Sequence, residues 1–269
     1  MMRRRATGAG IFYPRDPNEL KQTLDKFLQK RQQLQNPALA IILPHAAYSY
    51  SGKTVASVLN SIQIPNRIII IGPNHEAKNK QLSIISQGKF ETPLGDVAID
   101  EELSALLKTL CPQIKEDHQA HIMEHAIEVE LPFFQQLNPK IKVVPLLATH
   151  LSLQECKTIG TTLAKAISSI KEPILLIAST DLNQHIPAVK VKVLDQLIIG
   201  RLVAVDPQGL FQTVEDRGIS MCGVTPTTIT LFAAKALGAK KGTLVHYTNS
   251  AELSGNQRDV VGYAGVIIR

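Results

Sequence analysis

An α/β fold, with a central, largely parallel sheet flanked by helices, is what the 269-residue sequence predicts. Three observations carry that expectation. Short continuous runs of Ile, Val, Leu and Ala recur along the chain, segments with helix-start signals lie between them, and the order is strand, helix, strand. Continuous runs, unlike alternating ones, describe strands buried on both faces, which is the habit of parallel sheets covered by helices.

Taken in order, Asp16-Pro17-Asn18-Glu19 combines an N-cap, a proline at the first helical position and a glutamate at the third, and opens the first helix. Ala38 to Leu43 and Arg67 to Ile71 read as buried strands, as do Ile141 to Leu147 and Pro173 to Ala178. Ser152-Leu153-Gln154-Glu155 repeats the capping signature ahead of a helix between the last two. Near the C-terminus, Gly242 to Tyr247 and Val260 to Ile268 read as strands, the second inside the sheet because it is apolar on both faces. No long internal repeat, low-complexity tract or linker interrupts the pattern, so residues 1–269 are expected to form a single domain.

A composition of 44% hydrophobic and 19% charged residues argues against a disordered chain. Cys111, Cys156 and Cys222 are odd in number and far apart, which fits neither a disulfide framework nor a CxxC zinc site. A reducing, cytoplasmic setting is expected. The basic start Met1-Met2-Arg3-Arg4-Arg5 lacks a following apolar stretch, and the longest apolar runs fall far short of the roughly 20 residues that span a bilayer, so no membrane association is expected. The formal charge of +6 is spread over scattered lysines, with Arg3 to Arg5 the one cluster. It reads as surface charge, and no nucleic-acid motif accompanies it.

The site signal is positional. Ile41-Ile42-Leu43-Pro44 runs into His45, Ile69-Ile70-Ile71-Gly72-Pro73-Asn74 into His75, and Leu175-Leu176-Ile177-Ala178-Ser179-Thr180 into Asp181, with His185 four residues on. Ligands of open α/β sheets bind outside the carboxyl ends of the strands, so these groups are expected to converge. Any one of these histidines, taken alone, is more often a surface-loop residue; three strands doing the same thing is harder to dismiss.

Cys222 precedes a helical segment from about Thr227 to Leu237, with Pro226 placed as its first residue. The positive end of that helix would lower the thiol pKa and favour a metal-binding thiolate. A small hydrophobe packed under the helix explains the same cysteine equally well. Cys111 and Cys156 read as packing residues. In His118 to Pro132, His121 and His125 stand four apart, as on one helix face, but Ile122 follows His121 where the HExxH zinc motif needs glutamate. Glu124, Glu128 and Glu130 read as a solvated helix face. Ala47-Tyr48-Ser49-Tyr50-Ser51-Gly52-Lys53-Thr54 ends like a P-loop, but Ala47 replaces its first glycine and two tyrosines crowd the loop, so no nucleotide is expected. Ser51 is expected to cap the following helix and Gly52 to let the backbone approach the site.

Together, Ala9-Gly10-Ile11-Phe12-Tyr13-Pro14, Pro44-His45-Ala46-Ala47-Tyr48-Ser49-Tyr50-Ser51-Gly52, Gly72-Pro73-Asn74-His75, Glu91-Thr92-Pro93-Leu94-Gly95, Glu124-His125-Ala126-Ile127-Glu128, Leu131-Pro132-Phe133, Ser179-Thr180-Asp181-Leu182, Cys222-Gly223 and Val261-Gly262-Tyr263-Ala264 resemble the Memo family in order and spacing. The resemblance implies a fold like that of class III extradiol dioxygenases. It implies a transition-metal site at His45, His75 and Cys222, for Fe(II) or Cu with Zn as a further candidate, and Asp181, His185 and His125 lining the same pocket. In the related dioxygenases a carboxylate completes the two-histidine triad for Fe(II); a thiolate is softer and tilts preference toward copper. The family is also associated with phosphopeptide recognition and, in microbes, with a neighbouring radical-SAM protein. This sequence departs from the family pattern at Ala47, where glycine is usual, and at His185, which stands four residues after Asp181 instead of three.

Two readings follow. In the first, His45, His75 and Cys222 hold the metal, His185 or His125 transfers protons, and Asp181 orients an imidazole or a small substrate. In the second, a non-catalytic module binds a phosphorylated or carboxylate peptide through His45, His75, His185, Lys53 and Tyr48.

Overall fold

The computed structural model describes residues 2–28, 36–76 and 82–269. Its strands are β1 (Arg3–Arg4), β2 (Ala40–Leu43), β3 (Arg67–Pro73), β4 (Leu82–Ile84), β5 (Lys89–Thr92), β6 (Gly95–Ile99), β7 (Ile114–Glu116), β8 (Lys142–Ala148), β9 (Ile174–Ser179), β10 (Gly242–Asn249) and β11 (Gly262–Ile268). Its helices are α1 (Pro17–Leu28), α2 (Tyr48–Leu59), α3 (Glu101–Leu110), α4 (Gln119–Ile122), α5 (Leu131–Leu137), α6 (Leu153–Ser168), α7 (Ala188–Val203), α8 (Pro207–Arg217), α9 (Val224–Ala236) and α10 (Ala251–Ser254).

Among the described residues, the strands form one sheet in the order β1-β5-β6-β8-β3-β9-β2-β11-β10. The four strands from β8 to β2 are mutually parallel, as their continuous apolar sequences require. Alternate residues then serve opposite faces. Ile69, Ile71, Leu176 and Ile42 join one core beneath α6, α8 and α9, whereas Ile68, Ile70, Ile177 and Ile41 join a second beneath α1, α2 and α5. Strand β11 is interior, as its sequence predicts, but antiparallel to both β2 and β10. The outer edge of β8 is divided, β6 pairing with its start and β4 with its end.

The local signals act as expected at two helices. Asp16 Oδ1 accepts the N–H groups of Asn18 and Glu19 at 2.9 Å each, starting α1, and Ser152 and Glu155 form a reciprocal capping box at the head of α6. Helix α2 begins earlier than expected, at Tyr48, so Ser51 sits inside its first turn and donates to the Ala46 carbonyl at 2.7 Å without acting as the N-cap. Gly52 turns toward α1, where a Cβ would lie 2.7 Å from the Phe27 ring; its smallness serves helix packing and not the site. Among the described residues no helix is long and apolar enough to cross a membrane.

Candidate metal centre

The register of the parallel core brings the strand ends together. Leu43 of β2 pairs with Ser179 of β9, and Ile71 of β3 with Ala178 of β9, so the residues just beyond them, His45, His75 and Asp181, emerge from three adjacent strands at one edge. Cys222 joins them from the loop before α9, immediately ahead of Gly223, the N-cap of that helix. Gly223 fits there because its backbone lies against Thr180: a Cβ would come within 2.3 Å of Thr180 Cβ, and its N–H donates to Thr180 Oγ1 at 3.0 Å. Pro226 falls in the third helical position, since α9 starts at Val224.

His45, His75 and Cys222 each offer a ligand atom, all within 4.8 Å of one another. His45 is buried, and its Nδ1 meets Ser179 Oγ at 2.9 Å. Because that hydroxyl donates its hydrogen to the Ala126 carbonyl at 2.8 Å, it accepts from His45, which places the proton on Nδ1 and leaves the Nε2 lone pair free. Nε2 lies 3.4 Å from Cys222 Sγ. His75 is oriented the same way by Glu124, whose carboxylate oxygens lie 3.0 Å from its Nδ1. Such carboxylate–histidine pairing is the usual support of a metal-binding imidazole.

Electrostatics follow from burial. Burial and the neighbouring His125 and His75 hold His45 neutral, well below the usual histidine range. Burial opposes charge on His75, but the hydrogen bond and charge of Glu124 prevail and raise it. Burial would raise Glu124, yet its bonds to His75 hold it near 2. Burial pushes Asp181 up to about 7 although it accepts the His45 N–H at 3.1 Å. Cys222 runs opposite to the expectation from the helix end: burial and the Asp181 carboxylate push the thiol up to about 12, outweighing the Asp181 N–H that it accepts at 3.3 Å.

His125 joins the group, its ring centroid 5.5 Å from that of His45 and 5.1 Å from that of His75. It reaches this place without the expected helix: α4 stops at Ile122, so His121 and His125 share no helix face. His121 is buried near Phe90 instead. His185 stands apart from the cluster in solvent, its side chain 75% exposed and its Nδ1 2.9 Å from Asp259 Oδ1. Tyr48 is turned into the core, donating to the Val129 carbonyl at 2.7 Å, and Lys53 is exposed. Cys156 is buried within α6 and Cys111 is buried at the end of α3, both as packing residues.

Several buried groups around the site went unseen in the sequence. Glu124, Glu128 and Glu130 are all buried, a correction to their reading as a solvated face. Glu128 is a hub that takes the Arg4 guanidinium, the Tyr13 hydroxyl and the Thr7 and Gly8 N–H groups. Arg4, read as surface charge, is buried and also donates to the carbonyls of His121 and Glu124. Phe12 stacks on His125 at 4.2 Å between centroids. The contiguity of Glu124 with His125 was a visible clue; the burial of Arg4 had none, because its partner lies 124 residues away.

Fold and donor set define an α/β protein with a His/His/Cys group of metal-binding type at the carboxyl edge of its sheet. Residues 4–267 match the family described as Memo-like protein. A MEMO1 family protein of Aquifex aeolicus is 35% identical, covering 96% of each chain; one of Methanopyrus kandleri is 34% identical over 100% of this chain and 99% of the relative. The chain belongs to the Memo family. A crystal structure of an uncharacterised Escherichia coli K12 protein shares the fold at a TM-score of 0.53 and 12% identity, over 86% of this chain and 99% of that one.

Proposed function

We propose that His45, His75 and Cys222 hold one transition-metal ion, iron(II) or copper, and that the site carries out redox chemistry on a small substrate. The observation that carries this reading is the shared orientation of the two imidazoles: Ser179 and Glu124 occupy both Nδ1 atoms, which leaves both Nε2 atoms for the ion beside the sulfur. The donors fit such a group, since two imidazole nitrogens and one sulfur suit a borderline or soft cation, which on binding displaces the proton that Glu124 favours on His75. When bound, the ion supplies an electron-transfer and Lewis-acid centre, and its charge favours the Cys222 thiolate that burial alone disfavours.

The chain's own groups then handle protons and position. Asp181, buried beside His45 and able to change charge near neutrality, is the proton acceptor at the site. His125, kept neutral by burial, presents a second basic ring held flat by Phe12. The expectation that a peptide phosphate or carboxylate binds here loses two of its donors, because the Tyr48 hydroxyl is engaged in the core and His185 is paired with Asp259.

The test is elemental analysis of anaerobically purified protein offered Fe(II), Cu(I) or Zn(II) separately, with His75→Ala and Cys222→Ser alongside. About one ion per chain in the wild type, lost in both variants, supports the reading. Binding that ignores both substitutions sinks it.

A further inference from the structure

Of the five tyrosines, three place the hydroxyl on an acceptor inside the protein: Tyr13 on Glu128, Tyr48 on the Val129 carbonyl at 2.7 Å and Tyr247 on Asp195 at 2.8 Å. That is the habit of a buried phenol, whose ring is apolar but whose hydroxyl still needs a partner. Tyr50 is only partly buried. Tyr263 is 3% exposed, yet its hydroxyl meets no hydrogen-bond partner among the described residues. Strand topology sets this residue at the metal centre. Strand β11 runs antiparallel to β2 with Val266 opposite Ile42, and the same register carried three residues further puts Tyr263 opposite His45. The preceding residue, Gly262, exchanges backbone hydrogen bonds of 2.9 Å with Leu182 and Asn183, just beyond Asp181. Side chains alternate along β11: Ala264, Val266 and Ile268 enter the core beneath α6, α8 and α9, and Ile267 enters the one beneath α1, α2 and α5. Tyr263 therefore points with Ile267 to the α2 side, where its ring meets Tyr50 at 6.5 Å between centroids. Ser179, two residues after Ile177, points to that same side and holds the His45 ring there. Burial, with the Asp181 carboxylate and Tyr50, raises the Tyr263 phenol above its usual range, so it stays protonated and available as a donor.

We propose that Tyr263 is a ligand-contacting residue of the metal centre, its hydroxyl donating a hydrogen bond to an anionic atom of the substrate bound beside the ion. The inference rests on the metal reading above and adds a substrate class to it: a small molecule that presents an anionic oxygen, such as a carboxylate or an enolate, toward β11. The ion's charge draws such an atom in. Because no group of the protein competes for the hydroxyl, the donor is held ready in a buried place and gives its bond to the ligand without breaking another.

The test uses the full-length protein loaded with Zn(II), its uptake measured first by elemental analysis, and azide, a small anion that coordinates zinc, followed through the infrared stretch of the bound form. Tyr263→Phe is expected to take up Zn(II) with the wild-type Kd and to melt no lower than the wild type, because the hydroxyl it loses has no protein partner. Its azide Kd is expected to rise at least about tenfold, as for the loss of a hydrogen bond to a charged group, and the band of bound azide to shift. A phenol that only fills space would move neither. Tyr247→Phe, which removes a bond to buried Asp195, is expected to do the reverse: it melts lower and binds azide as the wild type does. Zn(II) uptake without azide binding, or with the same azide Kd and band in wild type and Tyr263→Phe, overturns this inference alone. A Tyr263→Phe protein that melts well below the wild type also overturns it, since the hydroxyl would then serve the fold. No Zn(II) uptake by the wild type overturns the metal reading and this inference with it.

Discussion

Both carboxylate oxygens of Glu124 lie 3.0 Å from Nδ1 of His75, and one of them also accepts the His75 backbone N–H at 2.7 Å. Ring and backbone of one residue are thus fixed by a single buried carboxylate, which also accepts the Ala126 N–H at 2.9 Å. The loop after β3 is thereby tied to the loop that carries His125.

Replacing Glu124 with glutamine keeps the shape and removes the charge that orients His75. Metal affinity is expected to fall by about 10- to 100-fold while stoichiometry at saturation stays the same. Competition against a chelator of known affinity measures this; an unchanged Kd would remove Glu124 from the site's support.

Asp181 makes stability depend on pH in the metal-free chain. Burial raises its pKa from 3.8 to about 7, so between those values the folded state holds a proton that the unfolded chain has released. Its contribution is therefore fully present below the unfolded value and lost as pH rises through the folded one. Asp181→Asn, which never ionises and still accepts the His45 N–H, should flatten the wild-type decline in Tm across this window and melt higher than the wild type at neutral pH. Parallel Tm curves, recorded with chelator, would contradict this.

Much of this was legible in the sequence because strands and their ends are local signals. The Ile-rich runs defined β2, β3 and β9, and the residues just after them, His45, His75 and Asp181, do meet. The failures are non-local. The spacing of His121 and His125 suggested a helix, but the chain breaks after Ile122, and Glu128 is buried against Arg4 of the N-terminal segment and Glu124 against His75 beyond β3. His185 illustrates the complementary limit: it follows the same strand as Asp181, yet takes a left-handed backbone, φ +60, and leaves the cluster. Strand order determines which loops are neighbours; it does not determine where each loop side chain turns.

Gly223 is predicted to be irreplaceable even by alanine. The added Cβ would stand 2.3 Å from Thr180 Cβ and 2.6 Å from the Ser179 carbonyl oxygen, neither of which is a flexible side-chain end. Relief requires moving the start of α9 away from β9, and Cys222 with it. Gly223→Ala is expected to cost about 1–3 kcal/mol in urea unfolding and to lose the metal. An alanine variant of wild-type stability with full metal content would show that the approach of the two backbones is not required.

The three consecutive arginines at the start of the chain offer a graded test of burial. Arg3, 57% exposed, pairs with Glu91 and Asp96 at the surface, and Arg3→Met is expected to change stability by about 0–1 kcal/mol. Arg4 is 3% exposed and faces Glu128, which is wholly buried. Arg4→Met leaves that carboxylate with only the Tyr13, Thr7 and Gly8 donors and no counter-charge, so a loss of about 3–5 kcal/mol is expected. The same guanidinium binds the Glu124 carbonyl, and its removal loosens the carboxylate that orients His75. Chemical denaturation should therefore separate the two variants widely, and metal affinity should fall for Arg4→Met alone. Equal effects from the two arginines would mean that Glu128, though buried, does not depend on its ion pair, and that the N-terminal segment does not support the site.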